Sequence, residues 1–334
     1  MTFREGGSFW QVSYFRNAAY DCGLSGTHSF IIIEPRDGDD ASLAPLWMFL
    51  HGGGMGYFAA DGTYQATRGQ TQDTWNHEEG LGSLLASLEA RITDPQGSPE
   101  DTTLRRRLQE GYRLLLPSMC DHDFYSGLGT PYPNNLGRQV NGLQATQAAL
   151  AYARATRPTD KTFLHGTSAG AIGAYSLALA ASRRGWHVDG AILDSSVLTP
   201  RLWPVFKTYQ GHPRFPFSKA FETSAMMKKV GALMDPAQAG LLAEYQIAAG
   251  FDDVPLIFLF GMADVFCAGQ LPLVPEASEN NCLYVASGVL EAIQGQSDSP
   301  HQIKILPGVG HVPTNKAGFA NDLVDDFIAV SRSR

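Results

Sequence analysis

Short apolar runs recur along this chain, each closed by glycine, proline or an acidic turn. Residues 29–34, 45–50, 112–116, 188–193, 254–260 and 302–306 read as strands, and so does the run that ends at Gly166. Several are apolar throughout rather than alternating, the mark of strands covered on both faces. A further strand is expected across 9–15. Helical spacing appears in 104–110, in the alanine-rich 141–157 halted at Pro158, and in 171–180, 283–293 and 314–330. Strands alternating with helices predict an α/β fold, a mostly parallel sheet with helices on both faces. Ligands of such sheets gather at the carboxyl ends of the strands. The chain is expected to form one domain over residues 1–334.

Two stretches interrupt the alternation. Residues 56–110 form a long polar excursion with a helical patch at 81–91. Residues 200–250 concentrate Trp203, Phe206, Tyr209, Phe215, Phe217, Phe221, Met226 and Met227. Between 201 and 230 stand six basic residues and one acid, in a chain of net charge −8. This insertion is expected to be a lid that offers aromatic contact and positive charge to an anionic substrate. A cap with an ordinary solvated basic face fits the same residues.

The chemistry-bearing motifs sit where strands end. The run 161–170 passes from strand through His165-Gly166-Thr167-Ser168-Ala169-Gly170 straight into a helix. That is the context of a nucleophile elbow, in which a strained turn lifts a serine clear of the sheet. Ser168 is therefore the candidate nucleophile, a helix N-cap serine being the plainer alternative. Upstream, the strand at 45–50 delivers His51-Gly52-Gly53-Gly54. Glycines there let backbone amides face a substrate oxygen, so Gly53, Gly54 and Ala169 are the candidate oxyanion donors. Asp264 follows the strand at 254–260, and His311 follows the last strand between Gly308 and Gly310. The order serine, acid, histidine is that of one hydrolase architecture. Asp194, beyond the strand at 188–193, is the rival acid. His301 precedes its strand and lies at the wrong end. The loop after 112–116 carries Asp121, His122, Asp123, Phe124 and Tyr125; Asp121, Phe124 and Tyr125 are expected to face substrate. Adjacent acids and a histidine rarely share one ion, so no metal site is expected there.

Bulk properties narrow the classes. The acidic balance argues against a general nucleic-acid binder. No apolar run approaches a membrane span, and the first residues do not resemble a signal peptide. A soluble chain is expected, intracellular or a mature secreted form. Four cysteines are too few for a disulfide scaffold; Cys267 and Cys282 flank a loop, and a bridge and two buried thiols are both open readings.

Taken together, these motifs resemble the α/β-hydrolase superfamily of serine esterases. More narrowly they are similar to the pectin acetylesterase and Notum group of carboxylesterases. The signposts are Phe49-Leu50-His51-Gly52-Gly53-Gly54, then Leu116-Pro117-Ser118-Met119-Cys120-Asp121 with Phe124 and Gly127, then Gly166 to Gly170. The chain has Met55-Gly56 where that group commonly carries Trp-Cys, and lacks most of its cysteines. The resemblance implies ester deacylation but not pectin. The expected activity is hydrolysis of acyl esters, short-chain ones such as acetyl, on a small molecule or carbohydrate, with no cofactor. A peptidase or amidase with the same residues, and a non-catalytic binding module of the same fold, are the alternatives.

Overall fold

The structure is a computed structural model that describes residues 2–5, 8–22, 27–35, 43–53, 56–58, 64–66, 103–119, 122–131, 137–195, 199–202, 239–267, 278–315 and 318–332. The helical patch expected at 81–91, residues 203–238 of the expected lid, and Gly54 and Asp121 lie outside the described residues.

Among the described residues nine strands form one sheet: β1 (Thr2–Glu5), β2 (Ser8–Asn17), β3 (His28–Pro35), β4 (Leu46–Leu50), β5 (Arg113–Pro117), β6 (Thr162–Thr167), β7 (Gly190–Asp194), β8 (Leu256–Gly261) and β9 (Gln302–Leu306). Among the described residues six helices accompany them: α1 (Thr103–Gln109), α2 (Gly142–Thr156), α3 (Ala169–Arg183), α4 (Ala243–Ala248), α5 (Ser278–Gln294) and α6 (Gly318–Arg332). The strand order is β1-β2-β3-β5-β4-β6-β7-β8-β9. Pairing is antiparallel from β1 through β3 to β5, then parallel from β5 to β9. Two short ribbons, Gly56–Phe58 with Tyr64–Ala66 and Thr130–Pro131 with Gln139–Val140, lie apart from it.

The alternation of side chains along each strand divides the core in two. Leu46, Met48 and Leu50 of β4, Leu164 of β6, Leu193 of β7 and Phe258 of β8 pack with α2, α3, α4 and α5. Trp47, Phe163, Ile192 and Ile257 from the same strands pack on the other face, with Leu104 and Leu108 of α1 and Val324, Phe327 and Ile328 of α6. Continuous apolar runs were therefore needed, because both faces of each central strand are covered. On the second face Arg107 lies buried between the rings of Trp47 and Tyr112, each 5.3 Å away, and pairs with Asp325 of α6. Opposite charges thereby pin α1 to α6.

Sequence order reverses around β4, which has β5 on one side and β6 on the other. Such a switch point opens a crevice beyond the carboxyl ends of the two flanking strands. The glycine stretch after β4 and the serine after β6 stand there.

Candidate active site

Ser168 occupies the turn between β6 and α3 with φ 53° and ψ −120°. Positive φ is rare for a side-chain-bearing residue and persists only where the surroundings enforce it. The enforcement is visible at the flanking glycines. A Cβ on Gly166 would lie 1.9 Å from the Gly170 carbonyl oxygen, and one on Gly170 would lie 1.9 Å from that of Leu50. The serine amide donates to the Asp194 carbonyl at 2.8 Å, fixing the turn to the end of β7. As for the N-cap alternative, the Ser168 hydroxyl makes no capping bond to α3. It meets His311 instead.

His311 Nε2 stands 2.8 Å from Ser168 Oγ, and His311 Nδ1 stands 2.8 Å from Asp264 Oδ2. The other Asp264 oxygen accepts the Phe266 amide at 2.9 Å, so the carboxylate is held at both ends. Asp264 is nearly enclosed, whereas the histidine ring is 22% exposed at the surface of the crevice. The ring of Phe266 lies edge-on to the imidazole with centroids 4.6 Å apart. The acid turn and the histidine loop are laced together: Ala263 donates to Val309 and Met262 to Leu306. A Cβ on Gly261 would lie 2.3 Å from the Gly310 carbonyl, so the two segments meet backbone to backbone. Cys267 and Cys282 are disulfide-bonded, which ties the acid turn to α5.

Asp194 lies close by but engages different partners. One of its oxygens accepts the Thr314 amide at 3.1 Å and the Thr314 hydroxyl, and the other accepts the Ser195 hydroxyl at 3.0 Å. Burial pushes its carboxyl up to about 6, against the opposing pull of those hydrogen bonds and of His311. His301 sits at the amino end of β9, where Nδ1 accepts the Leu256 amide and Nε2 donates to the Phe251 carbonyl. That is the amino-terminal end of the parallel strands, opposite the end that carries Ser168.

The glycine stretch abuts the elbow. The Gly52 amide donates to Thr167 Oγ1 at 3.1 Å, and a Cβ on Gly52 would lie 3.0 Å from Ser168 Cβ. A Cβ on Gly53 would run into Met119 Cε at 2.5 Å, so the loop after β5 closes over this stretch. Ala169 opens α3, where first-turn amides have no partner within the helix and the helix dipole is positive.

Phe124 and Tyr125, the residues expected to face substrate, lie on the loop after β5. Both are buried, Tyr125 completely, and both have positive φ, 59° and 56°. Tyr125 packs against α3 where Gly173 leaves room for it; a Cβ there would lie 2.7 Å from Tyr125 Cβ. In this conformation they form the floor of the loop rather than its exposed face. Asp123 holds that floor: its carboxylate accepts the amides of Tyr125, Gly127 and Gly142. Arg201, counted among the basic residues of the insertion, pairs with Glu291 of α5 at 2.8 Å and stacks on Tyr284. Its charge already has a partner on the same chain.

Solved structures with this layout include an S-formylglutathione hydrolase from Agrobacterium tumefaciens, at TM-score 0.52 and 13% identity over 98% of each chain. Esterase B from Lactobacillus rhamnosis aligns at TM-score 0.51 and 15% identity, over 96% of this chain and 87% of that one. The chain has the α/β-hydrolase fold. No family model matches the sequence, and no curated protein matches it significantly. Within the α/β-hydrolase fold, the serine after β6, the acid after β8 and the histidine after β9 follow the order serine, acid, histidine.

Sequence reasoning did not find the support around these residues. Ser195, Val312 and Thr314, which surround His311 through Asp194, carry no motif. Their one available signal was Asp194-Ser195 at a strand end. Among the described residues no cluster of three or more His, Cys, Asp or Glu residues has the geometry to hold a metal, and no helix is long and apolar enough to cross a membrane.

Proposed function

We propose that the protein is a serine carboxylesterase that hydrolyses short-chain acyl esters through an acyl-enzyme intermediate on Ser168. One observation carries the reading: a serine at positive φ is joined to a histidine, and that histidine to a carboxylate, by two contacts of 2.8 Å each. His311 removes the hydroxyl proton as Ser168 Oγ attacks the ester carbonyl. It then protonates the departing alcohol. Asp264 keeps the imidazole in the tautomer that presents Nε2 to the serine and stabilises the imidazolium that forms. The Ala169 amide, with Gly53 or Gly54, holds the oxyanion; losing such a donor typically costs ~10²–10³ in rate. Water activated by His311 then releases the acid.

The two solved structures named above are called a hydrolase and an esterase, which agrees with ester chemistry. The narrower likeness to the pectin acetylesterase and Notum group rests on the three sequence signposts, and it favours acetyl esters. We further propose that the insertion across 200–250 is a lid, because the chain enters it just after β7 ends beside Ser168.

A fluorophosphonate probe tests the reading. Wild type should label stoichiometrically and Ser168→Ala not at all, with turnover of p-nitrophenyl acetate lost in parallel. Undiminished hydrolysis by Ser168→Ala would refute it. A panel of acetyl, butyryl and aryl esters beside matching amides then fixes acyl length and separates esterase from amidase.

A further inference from the structure

Hydrogen bonds from the elbow and from the residues after His311 converge on one short segment. The main-chain carbonyl of Asp194 accepts the Ser168 amide at 2.8 Å. Its side chain accepts both the amide and the hydroxyl of Thr314, three residues beyond His311. Ser195 donates its hydroxyl to Asp194 and uses the same oxygen to accept the Val312 amide at 2.6 Å, one residue beyond His311. The Ser195 amide in turn donates to Leu259 of β8.

Strain marks this junction. Ser195 has φ 64° and Val312 has φ 58°, both in the left-handed region. For a β-branched residue such as Val312 that conformation is a genuine outlier, kept only when neighbours over-determine it. The bond from its amide to Ser195 is one such constraint. Asp194 is completely buried, and that burial pushes its carboxyl up to about 6. Burying a carboxylate is unfavourable unless hydrogen bonds compensate it, and here they come from Ser195 and Thr314.

We infer that Asp194, Ser195 and Thr314 form a positioning unit that holds the His311 loop at bonding distance from Ser168, so that one strand end sets both nucleophile and base. The inference rests on the esterase reading, with Asp264 as the acid partner of His311. Asp194 is a positioning residue in this scheme, acting on His311 through Val312 and Thr314. Ser195 aligns the residue after the base, Thr314 anchors the turn that follows, and the Asp194 carbonyl registers the elbow against both.

The test uses the full chain and p-nitrophenyl acetate. Ser195→Ala removes the acceptor for the Val312 amide, and Thr314→Val removes the hydroxyl while keeping side-chain shape. Each should lower kcat by ~10–100-fold, the scale of an ångström-level misplacement, with KM changed less than about threefold. Fluorophosphonate labelling should slow by the same factor. Thr314→Ser keeps the hydroxyl and should restore kcat. In the His311→Ala background Ser195→Ala should cost nothing further, because its effect passes through the imidazole. If Ser195→Ala and Thr314→Val unfold at lower denaturant yet keep kcat within twofold, the unit is structural only and the inference fails. Additive losses in the His311→Ala background would overturn it as well. Failure of the esterase reading gives a different pattern, because Ser168→Ala or His311→Ala alone would then retain full turnover.

Discussion

A methyl group added at Gly170 should pull Ser168 away from His311, its partner in the proposed function. The substitution Gly170→Ala places a Cβ 1.9 Å from the Leu50 carbonyl oxygen, 2.5 Å from its carbon and 2.8 Å from the His51 oxygen. All three are backbone atoms of β4 and the glycine stretch, so no side chain can swing aside. Relieving the shortest contact to even 3.0 Å requires about 1 Å of separation between the first turn of α3 and the end of β4. Ser168 rides on that turn. Its 2.8 Å contact with His311 lies near the optimum for a hydroxyl, and a shift of ~1 Å carries it beyond hydrogen-bond range. We expect kcat/KM for p-nitrophenyl acetate to fall by ~10²-fold or more. Overpacking should also reduce the unfolding free energy by ~1–3 kcal/mol in urea. Gly318→Ala is the control: its Cβ meets open space at the start of α6, so stability should rise by ~0.4–1 kcal/mol with turnover unchanged. A folded Gly170→Ala protein within threefold of wild-type kcat/KM would refute the account of the elbow.

Two further outcomes follow from buried groups near the site. Burial pushes the Asp194 carboxyl from its ordinary 3.8 up to about 6, so the folded state holds that proton more firmly. Between those values the native protein binds more protons than the unfolded chain. Stability therefore falls as pH rises from about 4 to 6, by ~3 kcal/mol in total, and stays reduced above that window. Asp194→Asn removes this component, so the stability difference between variant and wild type should move in the variant's favour across pH 4 to 6 in urea titrations; a constant difference would contradict it. The paired substitution of Cys267 and Cys282 by serine opens a bridge spanning 15 residues. It should lower unfolding free energy by ~3 kcal/mol, and turnover should fall with it because the Cys267 amide donates to the Asp264 carbonyl. Unchanged stability in the double variant would show that the bridge constrains little.

Much of the scaffold was legible because it depends on local pattern. The strand at 302–306 was read to the residue, and 45–50 and 188–193 were found to within two residues, since apolar runs between breakers leave little choice. The final helix was expected from 314 but begins at Gly318, a 3-10 turn at Pro313–Asn315 preceding it. The short β1 and α4 were missed. A four-residue edge strand and a six-residue helix carry too few periods to register. The partners of the two aspartates depend on side-chain parity, which spacing alone shows poorly. Asp194 is the last residue of β7 and, by alternation, points to the face of Ile192, towards the segment leading into α6. Asp264 lies three residues past β8, on a turn free of that parity, and can reach the histidine. The bonding role of Ser195 and Thr314 was illegible for a related reason, because it arises from contacts 117 and 120 residues apart.

The histidine stands after the last strand of the sheet, and the serine 143 positions earlier. During synthesis Ser168 is therefore translated long before His311 exists. A ribosome-bound chain can pair β4, β5, β6 and β7 while the Ser168 hydroxyl still lacks its imidazole partner. The contact between Ser168 and His311 then forms in one late event, when the tail beyond β9 docks against β7, and under the proposed function a nick between Leu306 and His311 should abolish turnover while leaving every strand in place.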